Sequence, residues 1–263
     1  MTSERYTHGH HESVLKSHTW RTIANSAAYF EPRLEAGLSL LDIGCGPGTI
    51  TAEFAERLAP GRVVGLDAAS AAIKKASAFT ADNLSFVMGD AYALPFDDNS
   101  FDLVHSHQTL QHLGDPVAAL VEMKRVAKPG GLIAVRDVDY AGTICFPEPP
   151  GLKVWADLYD AVHRSNGGEP NAGRRLKSWA MQAGLADVAT SASIWNFSDE
   201  VDREWWGSMW EARVLESAFA ADALGKSLAT QDVLQQISDA WREWADSPEG
   251  WMAMPHGEIL ARV

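Results

Sequence analysis

The chain has 263 residues, and its 35 acidic against 22 basic side chains give a formal net charge of −13. Because phosphate backbones attract basic surfaces, this balance argues against a nucleic acid as partner. Two cysteines, Cys45 and Cys145, do not suggest a disulfide framework and favour a reducing cytoplasm. No apolar run approaches the roughly 20 residues of a membrane span, and no signal-peptide pattern opens the chain. The length predicts one elaborated domain with a large core.

Residues 1–34 precede the first predicted strand, and Pro32 marks the end of a helical pattern. Three histidines, His8, His10 and His11, stand next to Glu12. A metal site is one interpretation of this cluster. No further Cys/His group lies near it in sequence, so we predict no metal.

Residues 40–49 carry the most informative pattern of the chain. The apolar run Leu40–Ile43 has the character of a strand, glycines follow at positions 44, 46 and 48, and 50–58 has the pattern of an amphipathic helix. Glycine lets the backbone approach a ligand closely, and free N–H groups at a helix start attract negative charge. The pattern predicts a nucleotide cradle, although a tight turn without a ligand has the same local sequence.

Acidic residues end the next two predicted strands. Asp67 follows a short apolar run 25 residues after Asp42, and Asp90 ends a third run 23 residues later. A carboxylate at the end of the second strand can accept hydrogen bonds from two ribose hydroxyls. That feature is shared with NAD-binding folds, but Thr49 stands where a dinucleotide fingerprint has its third glycine. An NAD-dependent oxidoreductase is therefore the alternative rather than the leading interpretation.

The rest of the chain continues the alternation of strand and helix. Strands are expected near 38–43, 62–67, 84–88, 101–106 and 131–138, which predicts a parallel, doubly wound sheet. The later predicted elements, in chain order, are a helix opened by Asp115-Pro116, a loop over 142–151, a helix near 151–165, a helix capped by Asn171 and ending at Gly184, a strand over 186–197, two helical pieces within 199–246 and a last strand over 251–263.

Tryptophan is concentrated toward the C-terminal half, where seven of the ten lie between 195 and 251. On the first predicted helical piece, one apolar stripe holds Val201, Trp205, Met209, Ala212 and Leu215. A second stripe holds Val233, Ile237, Trp241 and Trp244. Trp205 and Trp206 are adjacent and diverge by about 100° on a helix. One face would meet the sheet, and the other would meet a substrate cavity, a lid or a partner chain, which leaves a homodimer open.

Five short motifs follow one another in the order and spacing of a known protein family. The segments are 42–49, 65–67, 89–96, 101–104 and 128–131, or DIGCGPGT, GLD, GDAYALPF, FDLV and KPGG. Together they resemble the motif set of class I S-adenosylmethionine-dependent methyltransferases, in the small-molecule branch related to the ubiquinone/menaquinone-biosynthesis enzymes. The resemblance covers about residues 35–140. It implies a Rossmann-like, seven-stranded, mostly parallel sheet with an antiparallel last strand.

The resemblance also implies roles for particular residues. Gly44, Gly46 and Gly48 would face the methionine part of the cofactor, with His107 beside it. Asp67 would bind the ribose, while Ala68, Asp90 and Ala91 would hold the adenine. The complete set of expected cofactor residues is Asp42, Gly44, Cys45, Gly46, Gly48, Thr49, Asp67, Ala68, Asp90, Ala91, His107 and Gln108. An alternative role for Asp42 is only to order the loop.

Four parts of the chain follow from this interpretation. Residues 1–34 would form an N-terminal helical lid, 35–140 the cofactor-binding core, 141–247 a cap that holds the acceptor, and 248–263 the last strand. In the lid, His11 is the first candidate for a base or substrate-orienting group, followed by His10, because an imidazole pKa of about 6.5 suits proton transfer near neutral pH. Tyr140 is the third candidate. A solvated helix start is the alternative for both histidines.

The expected reaction is metal-independent, in-line methyl transfer from S-adenosylmethionine to an oxygen, nitrogen or carbon atom of a hydrophobic or aromatic small molecule. Positioning can supply most of the acceleration of such a displacement. The place after the fourth strand reads His105-Ser106-His107-Gln108 rather than the Asn/Asp-Pro-Pro-aromatic run of base-modifying enzymes, which again argues against DNA or RNA. Arsenic methylation needs a set of thiols, and the chain has two. A non-catalytic cofactor-binding module remains an alternative of another class.

Overall fold

A computed structural model describes residues 19–263 as a mixed α/β fold. The strands are β1 (Leu40–Ile43), β2 (Val63–Asp67), β3 (Leu84–Met88), β4 (Phe101–His107), β5 (Ala127–Val138), β6 (Ile144–Phe146), β7 (Ala186–Phe197) and β8 (Trp251–Arg262). The helices are α1 (Ile23–Ser26), α2 (Thr49–Leu58), α3 (Ser70–Ala76), α4 (Pro116–Val126), α5 (Pro150–Ser165), α6 (Leu176–Gln182), α7 (Glu200–Glu216), α8 (Ala218–Gly225) and α9 (Gln231–Asp246). No helix in this part of the chain is both long and apolar enough to cross a membrane.

The sheet has the order β3-β2-β1-β4-β5-β8, with β6 and β7 both paired to β8. The first five strands are parallel, and β8 is antiparallel to β5. This confirms the predicted doubly wound sheet with an antiparallel last strand. Residues 19–263 contain eight strands where seven were expected, because the segment predicted as a loop over 142–151 contains β6. Its three residues pair with Trp251–Ala253 of β8.

Hydrophobic patterning explains the centre of the sheet. All four residues of β1 are buried, as expected for a parallel strand covered on both faces. On one face, Phe30 and Phe54 pack with Leu40; on the other, Leu41 packs with Leu120 of α4. The predicted start of α4 is confirmed, since the Asp115 side chain accepts the backbone N–H of Ala118 and Pro116 opens the helix.

The segment after β5 forms a second hydrophobic core around the indole rings. Trp155 of α5 makes edge contacts with Trp210 of α7 and Trp241 of α9, each with ring centroids 4.9 Å apart. The rings of Trp210 and Trp241 stack at 5.7 Å. Most of the C-terminal tryptophans therefore join three helices to one another, which leaves few of them to face a ligand.

Several local expectations for this segment were wrong. The stretch 199–246 contains three helices rather than two pieces, and Val201 of the expected α7 stripe is 78% exposed. The buried face of α7 carries Met209 of that stripe together with Trp206 and Trp210, which the stripe did not include. Asn171 stands at the N-cap of a 3₁₀ helix that leads into α6, but its side chain makes no capping hydrogen bond and instead accepts the backbone N–H of Ala141. The second stripe is confirmed, with Ile237, Trp241 and Trp244 buried on α9.

Candidate active site

A cleft of about 340 Å³ opens at the carboxyl ends of the parallel strands. This is where ligands bind in open α/β sheets. We call the part formed by 42–50, 66–72 and 89–92 the glycine half. The other part, the aromatic half, is lined by Arg21, His107, Gln108, Thr109, Gln111, His112, Leu113, Tyr140, Trp195, Trp206, Arg213 and Met254.

The glycine loop needs backbone conformations that other residues rarely adopt. Gly44, Gly46 and Gly48 have φ values of +72°, +55° and +85°. A Cβ atom on Gly44 would lie 2.0 Å from Oγ1 of Thr109. The backbone N–H groups of Gly44 and Cys45 both donate to the carbonyl of Leu66, at 2.7 and 3.0 Å. The loop is therefore fixed against the end of β2 with its backbone turned toward the cleft.

Two carboxylates hold this half together. Asp42 lies at 3% exposure, where it accepts a 2.6 Å hydrogen bond from the Thr51 hydroxyl and lies 2.8 Å from Nδ1 of His105. Asp67 accepts the backbone N–H groups of Gly46 and Ala69, both at 2.9 Å. Asp42 thus connects β1 to α2 and β4 through side-chain contacts, while Asp67 bonds to the loop backbone from the end of β2. The role of Asp42 in ordering the loop stays a prediction.

Eleven of the twelve expected cofactor residues line the cleft. Gly48 is the exception, because it packs beneath the loop, where a Cβ would lie 2.9 Å from Ala76 and Phe86. Asp90 is exposed and accepts the backbone N–H of Tyr92 at 2.9 Å. Burial, followed by the charges of Asp42 and Asp67, raises the pKa of the Cys45 thiol, so this thiol stays protonated.

The charge of the glycine half favours a cationic ligand group. Asp42, Asp67 and Asp90 line it, and no Lys or Arg among the described residues does so. A sulfonium and an ammonium group, as S-adenosylmethionine carries, fit this arrangement. The two phosphates of NAD would face carboxylates without a described basic side chain beside them. The residues of this half therefore fit the expected cofactor.

His107 and Tyr140 lie in the aromatic half. His107 is 4% exposed, and burial, followed by the nearby charges of Arg21 and Arg136, holds its pKa well below the usual range. The imidazole is therefore neutral. Burial raises the pKa of Tyr140, whose ring lies 4.1 Å from that of Tyr159 between centroids. Tyr140 is thus a protonated phenol at neutral pH, suited to donating a hydrogen bond rather than to acting as a base.

Gln108 belongs to a chain of hydrogen bonds, from Arg21 through Gln108 to His256, that the sequence does not predict. Its φ is +51°, its Oε1 accepts a 2.6 Å hydrogen bond from Arg21, and its Nε2 lies 2.7 Å from Nε2 of His256. His256 Nδ1 is 3.1 Å from the carbonyl of Met254, so the neutral ring donates there and accepts from Gln108. The amide expected to face the cofactor is already held on both sides by protein groups.

Two expected catalytic residues, His10 and His11, lie outside the described residues, and their roles stay predictions. Arg21, Trp195, Arg213 and His256 were not expected at the site. Trp195 is fixed by a 2.7 Å hydrogen bond from its Nε1 to the carbonyl of Asn25. The only sequence signal for an aromatic side of the cleft was the concentration of tryptophans between 195 and 251. That signal did not distinguish Trp195 from the tryptophans of the hydrophobic core.

The fold and the cleft define a Rossmann-like protein that binds a nucleoside cofactor at the ends of its parallel strands. A family model described as a methyltransferase domain matches residues 34–180. An uncharacterized methyltransferase of Schizosaccharomyces pombe is 35% identical over 269 residues, which cover 97% of this chain and 95% of that protein. The chain belongs to the methyltransferase domain family, as the ordered motifs predicted.

Two further comparisons bear on the class of reaction and on the cofactor. A demethylmenaquinone methyltransferase of Shouchella clausii is 32% identical over 177 residues, or 60% of this chain and 75% of that protein. The solved phosphoethanolamine N-methyltransferase 2 of Haemonchus contortus has a TM-score of 0.54 at 16% identity, over 89% of this chain and 51% of that one. It holds S-adenosylhomocysteine in that structure and S-adenosyl-L-methionine in another. The prediction of S-adenosylmethionine as the cofactor is confirmed.

The same fold also occurs in a solved [4+2]-cyclase, with a TM-score of 0.52 at 20% identity over 95% of this chain and 80% of that one. The fold by itself therefore does not determine the reaction.

Proposed function

We propose that this protein transfers a methyl group from S-adenosylmethionine to a hydrophobic or aromatic small molecule. One observation carries the proposal: a single cleft runs from the glycine loop to a wall of Tyr140, Trp195, Trp206 and Met254. Membership of the family indicates the reaction, which is methyl transfer. The aromatic wall supports a hydrophobic or aromatic small molecule as the acceptor. Flat apolar molecules bind in pockets lined by aromatic side chains with a few polar groups.

The residues of each half have separate tasks. Gly44 and Gly46 allow the backbone to approach the methionine part of the cofactor, Asp67 accepts the ribose hydroxyls, and Asp90 with Ala91 borders the adenine. When bound, the cofactor supplies an electrophilic methyl group on a sulfonium. Trp195 and His107 line the cleft with their ring centroids 5.8 Å apart, and they would exclude water and limit the directions from which an acceptor atom can approach. Such alignment is the main source of acceleration in a displacement of this kind.

No described side chain of the aromatic half is placed as a strong base. His107 is neutral but buried with a lowered pKa, and the pKa of Tyr140 is raised. Positioning alone, without a base from the described residues, is therefore the mechanism we favour. His10 and His11 remain candidates for a base from the N-terminal segment.

The test begins with binding. S-adenosylhomocysteine should bind in a calorimetric titration, and NAD should not. Incubation with methyl-labelled S-adenosylmethionine and a panel of aromatic hydroxyl, amine and carbon acceptors should then transfer the label, detected by mass spectrometry. Binding of NAD with no response to S-adenosylhomocysteine would refute the cofactor assignment. Tight S-adenosylhomocysteine binding with no transfer to any acceptor would favour the non-catalytic module.

A further inference from the structure

Three residues that line the aromatic half carry polar groups with an unusual property. Both ring nitrogens of His107, Oε1 of Gln111 and Nε1 of Trp206 are closed off from solvent and have no hydrogen-bond partner. The residues are 4%, 2% and 3% exposed. Buried polar groups are nearly always paired, and each unpaired one costs about 1–3 kcal/mol. Unpaired groups from three separate elements that meet at one cleft point to a missing ligand.

Each group is held in place by the rest of the structure. His107 ends β4 in register with Arg136 of β5. The ring of Trp206 stacks on Phe197, with centroids 4.4 Å apart and planes 11° apart. The backbone carbonyl of Gln111 accepts hydrogen bonds from His163 and from the backbone N–H of Glu169, both at 2.8 Å. The backbone of His107 and Gln111 and the ring of Trp206 are therefore held by the fold, before any ligand arrives.

The direction of each hydrogen bond follows from chemistry. The Nε2 group of Gln111 lies 3.5 Å from the carbonyl of Gln108, so the amide nitrogen is turned toward that carbonyl and Oε1 is the group that can accept. A neutral imidazole has one donor and one acceptor nitrogen, and an indole N–H only donates. A complementary ligand presents a hydroxyl to His107 or Gln111 and a carbonyl or similar acceptor to Trp206.

Unpaired indole N–H groups also occur in the helical core, at Trp155, Trp241 and Trp244. These three do not line the cleft. An unpaired indole alone is therefore weak evidence, and the inference depends on the convergence of Trp206 with His107 and Gln111. The core indoles supply a matched control instead, since the same atom can be removed there without touching the cleft.

We infer that His107, Gln111 and Trp206 select an uncharged, planar acceptor that carries a hydroxyl and a hydrogen-bond-accepting oxygen, such as a hydroxylated aromatic ketone. This inference rests on the proposed function and narrows its acceptor class. The aromatic wall supplies the apolar contact, and the three polar groups fix the orientation of the ring. Charged amines are excluded, because Arg21 and Arg213 line the same half and no described carboxylate does.

The experiment measures dissociation constants of three flat bicyclic probes by ligand-observed NMR, with and without S-adenosylhomocysteine. Naphthalene has no polar group, 1-naphthol has a hydroxyl, and chromone has a carbonyl. The wild-type protein should bind 1-naphthol and chromone each about tenfold more tightly than naphthalene, the effect of one satisfied hydrogen bond. Equal affinities for all three, or no binding of any probe, would overturn the inference.

Variants then assign the groups. His107→Phe should bring 1-naphthol to within about threefold of naphthalene, while Trp206→Phe should weaken chromone about tenfold and leave 1-naphthol unchanged. Trp241→Phe, which removes an unpaired indole N–H outside the cleft, should change neither. If Trp241→Phe weakens chromone as much as Trp206→Phe, the selectivity is not in the cleft. The probes can be titrated in the absence of cofactor, so the inference is tested separately from the proposed function. Failure of the wild-type protein to bind S-adenosylhomocysteine would refute the proposed function, whatever the probes show.

Discussion

The carboxylate of Asp67 joins the end of β2 to the glycine loop by accepting the backbone N–H of Gly46 at 2.9 Å. Its other oxygen accepts the N–H of Ala69 at the same distance. One side chain therefore fixes the conformation of the loop on one side and lines the cleft on the other. The glycine half is ordered from within by the residue expected to bind the ribose.

Changing Asp67 to Ala should weaken S-adenosylhomocysteine binding by about 1.5–3 kcal/mol, the range for hydrogen bonds to a charged group. Asp67→Asn should lose less, because one carbonyl oxygen remains as an acceptor. Calorimetry measures both, and Asp82→Ala, which removes an exposed carboxylate away from the cleft, is the control. Wild-type affinity in Asp67→Ala would show that the ribose is bound elsewhere.

The glycine half could be predicted from the sequence because its determinants are local. Gly44, Gly46 and Asp67 lie within one strand-loop-helix unit and the strand that follows, where spacing alone places them at the same edge of the sheet. The aromatic half is assembled over long distances instead. Arg21 bonds to Gln108 across 87 positions, and Gln108 contacts His256 across 148. No period or motif connects such residues, so only the folded chain reveals them.

Tertiary pairing also overrode a correct local signal. The prolines and glycines of 142–151 predicted a loop, and residues 143 and 147–149 do lie outside regular structure. Ile144–Phe146 nevertheless pairs with β8, because the last strand extends past the end of β5 and offers unpaired backbone groups there. The exposed Val201 has a similar origin, since the buried face of α7 combines Met209 of the predicted stripe with Trp206 and Trp210 and does not include Val201.

Substitutions at Gly44 and Gly37 distinguish the cost of backbone strain from the cost of steric overlap. Gly44→Ala places a Cβ 2.0 Å from Thr109 Oγ1 at a φ of +72°, whereas Gly37→Ala has a φ of +92° and nothing within 4 Å. Gly37→Ala should cost about 1–2 kcal/mol of unfolding free energy, from strain alone. Gly44→Ala should cost more and should abolish S-adenosylhomocysteine binding. Urea unfolding and calorimetry measure these effects, and equal losses in both variants would show that the contact with Thr109 relaxes freely.

A buried ion pair connects β5 with β8. Arg136 and Glu258 are 1% and 5% exposed, their Nε and Oε1 atoms are 3.3 Å apart, and Glu258 also accepts hydrogen bonds from Ser191 and Ser193. Glu258→Gln should cost about 3–5 kcal/mol, because it leaves the Arg136 charge buried without its counter-ion. Adding Arg136→Met should recover part of this loss, since the uncompensated charge is then gone. A double-mutant cycle from urea unfolding tests this, and strict additivity would mean that the two groups do not interact.

Stability should fall in mild acid because His163 is buried as a neutral ring. Its Nε2 donates to the Gln111 carbonyl at 2.8 Å and its Nδ1 accepts from the Tyr159 hydroxyl at 3.2 Å. Burial lowers its pKa to about 4, while the unfolded chain has a value of about 6.5. As the pH falls, the unfolded state therefore binds the proton before the folded state does. The stabilisation that the neutral His163 ring gives the folded protein is fully present above pH 6.5 and is lost as the pH falls toward 4. At 1.36 kcal/mol per pKa unit, this residue alone should lose about 2 kcal/mol between pH 8 and pH 5.

The test compares urea unfolding of the wild-type protein and His163→Gln at these two pH values. His163→Gln should be less stable than the wild-type protein at pH 8. Between pH 8 and pH 5 its free energy of unfolding should fall by about 2 kcal/mol less than that of the wild-type protein. Part of the pH dependence should remain, because burial also lowers the pKa values of His107, His112 and His256. Tyr159→Phe keeps the imidazole buried and should retain the wild-type pH dependence. An unchanged acid loss in His163→Gln would mean that this ring is already protonated, or exposed to water, in the folded protein.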